Sequence, residues 1–202
     1  MNVKICGITD YKTAQFAIEA GVDAIGFVFA ESKRQISVSK AKEIIQTIPK
    51  HILKIGVFVN ETKENVESIF EEVGLTHIQL HGDESPAFCQ ALRYPVIKAI
   101  RIESESDIDQ IDAYSCDYIL VDSPLGPYRG GNGTTFDWNL FIHKNIERKL
   151  ILAGGLTIDN VLLASEIVKP VMVDVSSGVE TDGKKDEKKI EAFINTVKRG
   201  GI

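Results

Sequence analysis

The sequence predicts an α/β chain closed into one (β/α)8 barrel domain over residues 1–202. Three observations predict it. Short β-branched runs alternate with stretches whose apolar residues fall at i, i+3 and i+4, the pattern of parallel strands joined by crossover helices. The runs number eight, more than the roughly five to seven strands of an ordinary doubly wound open sheet. The length, 202 residues, matches the lower limit of about 200 for such a barrel, so its loops are short and extra domains few.

The strands are expected near Val3–Cys6, Ala24–Val28, Lys54–Phe58, His77–Leu80, Val96–Ile100, Tyr118–Val121, Leu150–Leu152 and Val171–Val173. Between them the helical pattern is clearest over Thr13–Ala20, Val38–Ile48, Lys63–Val73, Ser85–Leu92, Ile158–Val168 and Glu187–Val197. Two more helices, weaker in pattern, fall near Glu105–Ala113 and Trp138–Ile142. Residues able to cap an unpaired backbone N–H precede several of them: Ser37 or Ser39, Asn60 or Thr62, Asp83, and Thr157. No linker or low-complexity tract interrupts the series.

Composition narrows the partners. A net charge of −6 argues against nucleic acid, which needs a basic stripe, but leaves room for a locally positive site that takes a small anion. No apolar run reaches the length of a membrane span, and residues 1–10 lack the apolar core of a secretory signal. Cys6, Cys89 and Cys116 are odd in number and widely spaced. That suits reduced thiols in the cytoplasm better than a disulfide framework, and no Cys/His spacing resembles a zinc site.

Barrel chemistry sits at the C-terminal strand ends and the loops that follow. Cys6 ends the first strand. It is either a small buried hydrophobe or a thiolate acting as base or nucleophile, and the second role needs a lowered pKa or a substrate-induced proton shift. Lys4, two residues back on the same strand face, would favour the thiolate, unless it is simply paired with a carboxylate. Asp122 ends the apolar run "YILV", where a carboxylate is solvated, paired, a loop cap or a general acid. The last role requires a raised pKa, from burial or a neighbouring negative charge. Asp174, in "VMVDVSSGVE", poses the same choice, with hydrogen bonding to the loop behind it as the plain reading. Gly154 and Gly155 follow strand 7, and Ser176, Ser177 and Gly178 follow strand 8. Such residues let backbone N–H groups approach an anion, in the two loops that most often hold phosphate in these barrels. Arg34, in "SKRQIS", is either a solvated loop charge or a fork for a carboxylate. His81 at the end of strand 4 reads as a hydrogen-bonded support rather than a base. "PYRGGNGTT", with Gly130 and Gly131, fits neither a phosphate-binding Walker loop nor a dinucleotide fingerprint, and reads as a lid.

Taken together, "KICGIT", "GFVF", "SKRQIS", "GVFVN", "QLHGDE", "VDS", "GGNGTTFDW", "LAGGL" and "VDVSSGVE", in this order, closely resemble the phosphoribosylanthranilate isomerase family of tryptophan biosynthesis, from Lys4 to about Lys189. "KICG" near the start with "DVSSGVE" near the end is the specific pair. The resemblance implies an Amadori rearrangement without metal or organic cofactor, acting on a small phosphorylated substrate. It implies Cys6 as general base and Asp122 as general acid. Arg34 would hold the anthranilate carboxylate and Asp174 the substrate hydroxyls or the reacting nitrogen. The glycines of loops 7 and 8, with Ser176 and Ser177, would hold the phosphate. Where relatives often carry a lysine in the lid, Thr134 stands here. The expected assembly is a monomer or a homodimer.

Three rivals share the fold. A different phosphosugar isomerase or epimerase would be expected to use paired carboxylates at strands 1 and 6. An isomerase that also takes the histidine-pathway substrate would start from an aspartate at strand 1. A non-catalytic phosphate sensor would not need both Cys6 and Asp122.

Overall fold

The computed structural model describes residues 1–124 and 135–200. Eight parallel strands close into a barrel in the order of the chain: β1 (Asn2–Cys6), β2 (Ala24–Val28), β3 (Leu53–Phe58), β4 (His77–Leu80), β5 (Val96–Arg101), β6 (Tyr118–Asp122), β7 (Leu150–Leu152) and β8 (Met172–Val175). Closure runs through β1 and β8, where Lys4 lies beside Asp174. The helices are α1 (Tyr11–Glu19), α2 (Val38–Ile45), α3 (Lys63–Val73), α4 (Pro86–Ala91), α5 (Glu105–Asp109), α6 (Val161–Val168) and α7 (Glu187–Arg199). A hairpin, β9 (Glu180–Thr181) with β10 (Lys184–Lys185), follows β8. No described helix is long and apolar enough to cross a membrane.

Strand periodicity sorts the core into two layers. Ala24, Ile55, Ile97, Ala99, Leu120, Ile151, Ala153 and Met172 fill the barrel interior. A larger cluster, including Ile5, Phe27, Ile78, Val121 and Phe193, packs between the strands and the surrounding helices. Because side chains alternate, Asp122 shares the interior face with Leu120, and Asp174 shares it with Met172. In register with the interior Ala24, Lys4 points inward as well, and Cys6 follows it two residues on. The interior is therefore apolar at its base and polar at the C-terminal mouth.

The expected strands match within one or two residues. The largest shift is β8, which runs on to Val175 and so takes Asp174 into the strand, where Lys4 on β1 can reach it. The helices differ more. Ser37 and Thr62 cap α2 and α3, each accepting a backbone N–H. Asp83 does not cap α4; Ser85 does, with Pro86 in the first turn, where its missing N–H costs nothing. Thr157 does not cap α6 either. The helix starts at Val161, and Asn160 instead accepts the Thr157 N–H. The helix expected near Trp138–Ile142 is a 3-10 turn over Trp138–Phe141, and the one near Glu105–Ala113 is a single α-turn running into 3-10 geometry. Seven α-helices, not eight, thus surround the barrel among the described residues. The expected lid residues, Gly130, Gly131 and Thr134, lie outside the described residues.

Candidate active site

The barrel mouth opens into a cavity of about 870 Å³ whose walls include Cys6, Arg34, Gln79, His81, Asp122, Gly154, Gly155, Asp174, Ser176, Ser177 and Gly178. Every candidate site residue among the described residues is in that wall.

Cys6 stands at the end of β1. Gly7 behind it adopts φ +78°, a turn that an L side chain rarely makes. The space is filled too: a Cβ on Gly7 would lie 2.5 Å from Cδ of Arg34. Gly7 therefore turns the chain away from the cavity and lets the Arg34 stem lie across it. Lys4 is fully buried and donates to Asp174 Oδ2 at 2.6 Å. Both readings of Lys4 meet here, since it is paired with a carboxylate and also acts on the Cys6 thiol. Burial presses Lys4 toward the neutral amine, but Asp174 and Cys6 outweigh it and hold the ammonium above its ordinary value. For Cys6 the balance is opposite. Burial pushes the thiol up, Lys4 only partly opposes this, and Asp174 adds to it. At rest Cys6 is a thiol, and of its two routes to a thiolate the substrate-induced proton shift is the one left open.

Asp122 is also buried. Burial alone would raise its carboxyl, but its hydrogen bonds win. His81 Nε2 lies 3.0 Å from Oδ2, and the Ser123 N–H lies 2.8 Å from Oδ1. Asp122 is accordingly held below the usual carboxylate range, whereas the role of general acid calls for a raised value. Gln79 holds the other side of the ring, its amide lying 2.9 Å from Nδ1. The Asp122 carboxylate only accepts, so Nε2 carries the hydrogen that faces it. His81 is thus the support it was expected to be, and Gln79, which the sequence did not single out, orients it. Gly154 lets loop 7 close on this group. Its φ is +85°, and a Cβ there would meet the Ser123 nitrogen at 2.6 Å.

Asp174 spends Oδ2 on Lys4, while its buried Oδ1 has no hydrogen-bond partner. The hydrogen bonding to the loop behind it that was the plain reading is absent. A buried acceptor left open at a cavity wall suits a hydroxyl donor from a ligand. Ser176 joins loop 8 to β1 through its hydroxyl, which donates to the Cys6 carbonyl at 3.1 Å. Arg34 is not a solvated charge. Its Nε and Nη2 donate to the two oxygens of Glu180 at 2.7 and 2.8 Å.

Over residues 3–196 the chain matches the family model described as N-(5'phosphoribosyl)anthranilate (PRA) isomerase. A protein of Bacillus cereus (strain G9842) named N-(5'-phosphoribosyl)anthranilate isomerase is 58% identical over 196 residues, covering 96% of each chain. The crystal structure of phosphoribosyl anthranilate isomerase from Thermotoga maritima is 40% identical and superposes with a TM-score of 0.90, covering 98% of this chain and 99% of that one. A structure of the isomerase in complex with reduced 1-(o-carboxyphenylamino)-1-deoxyribulose 5-phosphate superposes with a TM-score of 0.87 at 39% identity, with the same coverage.

Proposed function

The chain belongs to the N-(5'-phosphoribosyl)anthranilate isomerase family, and from that premise we propose how its residues divide the work. The reaction, a step of tryptophan biosynthesis, is the Amadori rearrangement of the aminoaldose N-(5'-phosphoribosyl)anthranilate to the aminoketose 1-(2-carboxyphenylamino)-1-deoxyribulose 5-phosphate. The observation that carries the assignment is a thiol and a carboxyl, Cys6 and Asp122, facing one cavity from β1 and β6.

Opening the furanose needs a proton on the ring oxygen, and Asp122 supplies it from the minor protonation state in which Asp122 carries a proton and Cys6 has lost its own. The carboxylate left behind is stabilised by His81 Nε2–H and the Ser123 N–H, so the hydrogen bonds that hold its pKa down also favour the transfer. Ring opening leaves an iminium beside Cys6. That positive charge acidifies the sugar's C2 hydrogen and offsets the burial that disfavours the Cys6 thiolate. Cys6 then removes the C2 proton, and the enolamine tautomerises to the ketone. Asp174 Oδ1 accepts from a sugar hydroxyl. The glycines of loops 7 and 8, with Ser176 and Ser177, take the phosphate, and Arg34 grips the anthranilate carboxylate. We assign the chain to the cytoplasm, where its three free cysteines stay reduced, as a monomer or a homodimer.

A coupled assay tests this. Anthranilate and phosphoribosyl pyrophosphate are joined by the transferase that makes the fluorescent adduct, and the signal is followed as the protein is added. Decay of the signal is expected. Arg34→Ala should raise KM about tenfold or more while changing kcat less, because it removes a charge-assisted fork from binding. An unchanged KM would contradict the clamp.

A further inference from the structure

Arg34 poses a problem for its own assignment, because its fork already holds a carboxylate. Glu180 takes the side edge of the guanidinium, with Nε and Nη2 donating to Oε1 and Oε2. A guanidinium has a second bidentate edge, formed by Nη1 and the outer hydrogen of Nη2. Among the described residues no other hydrogen bond engages that edge. One arginine can therefore hold Glu180 from the side and a ligand carboxylate from the end.

Glu180 is built into place. It opens the β9–β10 hairpin directly opposite Lys185, across a turn in which Asp182 and Gly183 both have positive φ. Lys185 Nζ donates to the same Oε1 at 2.7 Å, and also to the Ser176 carbonyl at 2.9 Å. Lys189 Nζ holds the Glu180 backbone carbonyl at 2.7 Å, and the Asp186 N–H closes on Val179 at 2.9 Å. Neither Glu180 nor Lys185 is in the cavity wall, whereas Arg34 is. Glu180 thus reaches the cavity directly through Arg34, and at one remove through Lys185, which holds Ser176. The charges support the same arrangement. Glu180 holds Arg34 firmly in its charged form, while burial draws Lys185 down.

We propose that Glu180 is a positioning residue for substrate recognition: it fixes the Arg34 guanidinium from one edge, so that the other edge is aimed at the substrate carboxylate. This rests on the role proposed above for Arg34. Specificity for a carboxylated aromatic amine then depends on a hairpin outside the barrel. Gly7 leaves room for the Arg34 stem, and Glu180 holds its head.

The test compares two substrates that differ only in that carboxylate, N-(5'-phosphoribosyl)anthranilate and the corresponding adduct of aniline. Glu180→Gln is expected to raise KM for the first about tenfold with kcat changed by less than about threefold, and to leave kcat/KM on the aniline adduct within about twofold. Glu180→Asp keeps the charge but falls short of the fork, so it should show the same selective loss and covers the case in which the glutamine variant does not fold. An unchanged or lowered KM would mean that Glu180 competes for the fork, and equal losses on both substrates would mean that the hairpin serves folding or, through Lys185, the Ser176 loop rather than the carboxylate; either result overturns the proposal. Absence of wild-type turnover on the anthranilate adduct would instead refute the function on which it rests.

Discussion

At the scale of single residues, the acid and base proposed above carry the wrong protons at rest. Cys6 is a thiol held above its ordinary value, and Asp122 is a carboxylate held below its own. The reaction needs the reverse, a thiolate with a carboxylic acid. Between the two pKa values the thiolate fraction grows tenfold per pH unit while the acid fraction falls tenfold, so their product is constant. Log kcat/KM, which reports the groups of the free protein, should therefore be flat between about pH 7 and 8.5. Activity should fall in acid once Asp122 is fully protonated, and in alkali once Cys6 is fully ionised. A slope of one across the neutral range would contradict this. Removing the donor in His81→Leu leaves burial to raise Asp122, so the acid limb should move to higher pH. Much of this was legible in the sequence. Cys6, Asp122 and Asp174 each stand at or near the end of an apolar run, where a polar group needs a reason. Gln79 also left a signal, since it shares a strand face with His81 in "QLH". The pKa directions were not legible, because they depend on partners from other strands.

At the scale of elements, the turn after β4 is held by an ion pair inside the protein. Lys98 Nζ, on β5, donates to Glu84 Oε2 and to the Gly82 carbonyl, each at 2.8 Å, and Glu84 accepts the backbone N–H groups of Asn60 and Gly82. Both side chains are almost wholly buried. Lys98→Met would strand Glu84 as a buried charge, so urea unfolding should show a loss of about 3–5 kcal/mol. A loss below about 1 kcal/mol would mean that water reaches the pair. A lysine inside "VIKAI" was the available hint, but nothing local names its partner. Helix ends were harder to read than strands, because Asp83, Ser85, Thr157 and Asn160 can all cap by residue type and only backbone geometry chooses among them. The Arg34–Glu180 contact joins residues 146 apart in sequence, and no periodicity carries such a pairing.

At the scale of the whole molecule, one rule places the chemistry. Eight strands in sequence order, each alternating inward and outward, bring the last inward residue of every strand to a single mouth. The sequence conveyed that rule through the count of apolar runs and their alternation with helical patterns. What it could not convey is how loops from opposite ends of the chain brace one another, as Ser176 does against the Cys6 carbonyl and Glu180 against Arg34. The central claim is that Cys6 and Asp122 act together across this mouth. The most direct test is kcat for Cys6→Ser, Asp122→Asn and the double variant, measured on the anthranilate adduct with circular dichroism confirming the fold. Each single change should lower kcat by about 10²–10⁴ with KM little altered, and the double variant should be no more active than the weaker single one. Turnover near that of the unaltered protein in either single variant would contradict the account.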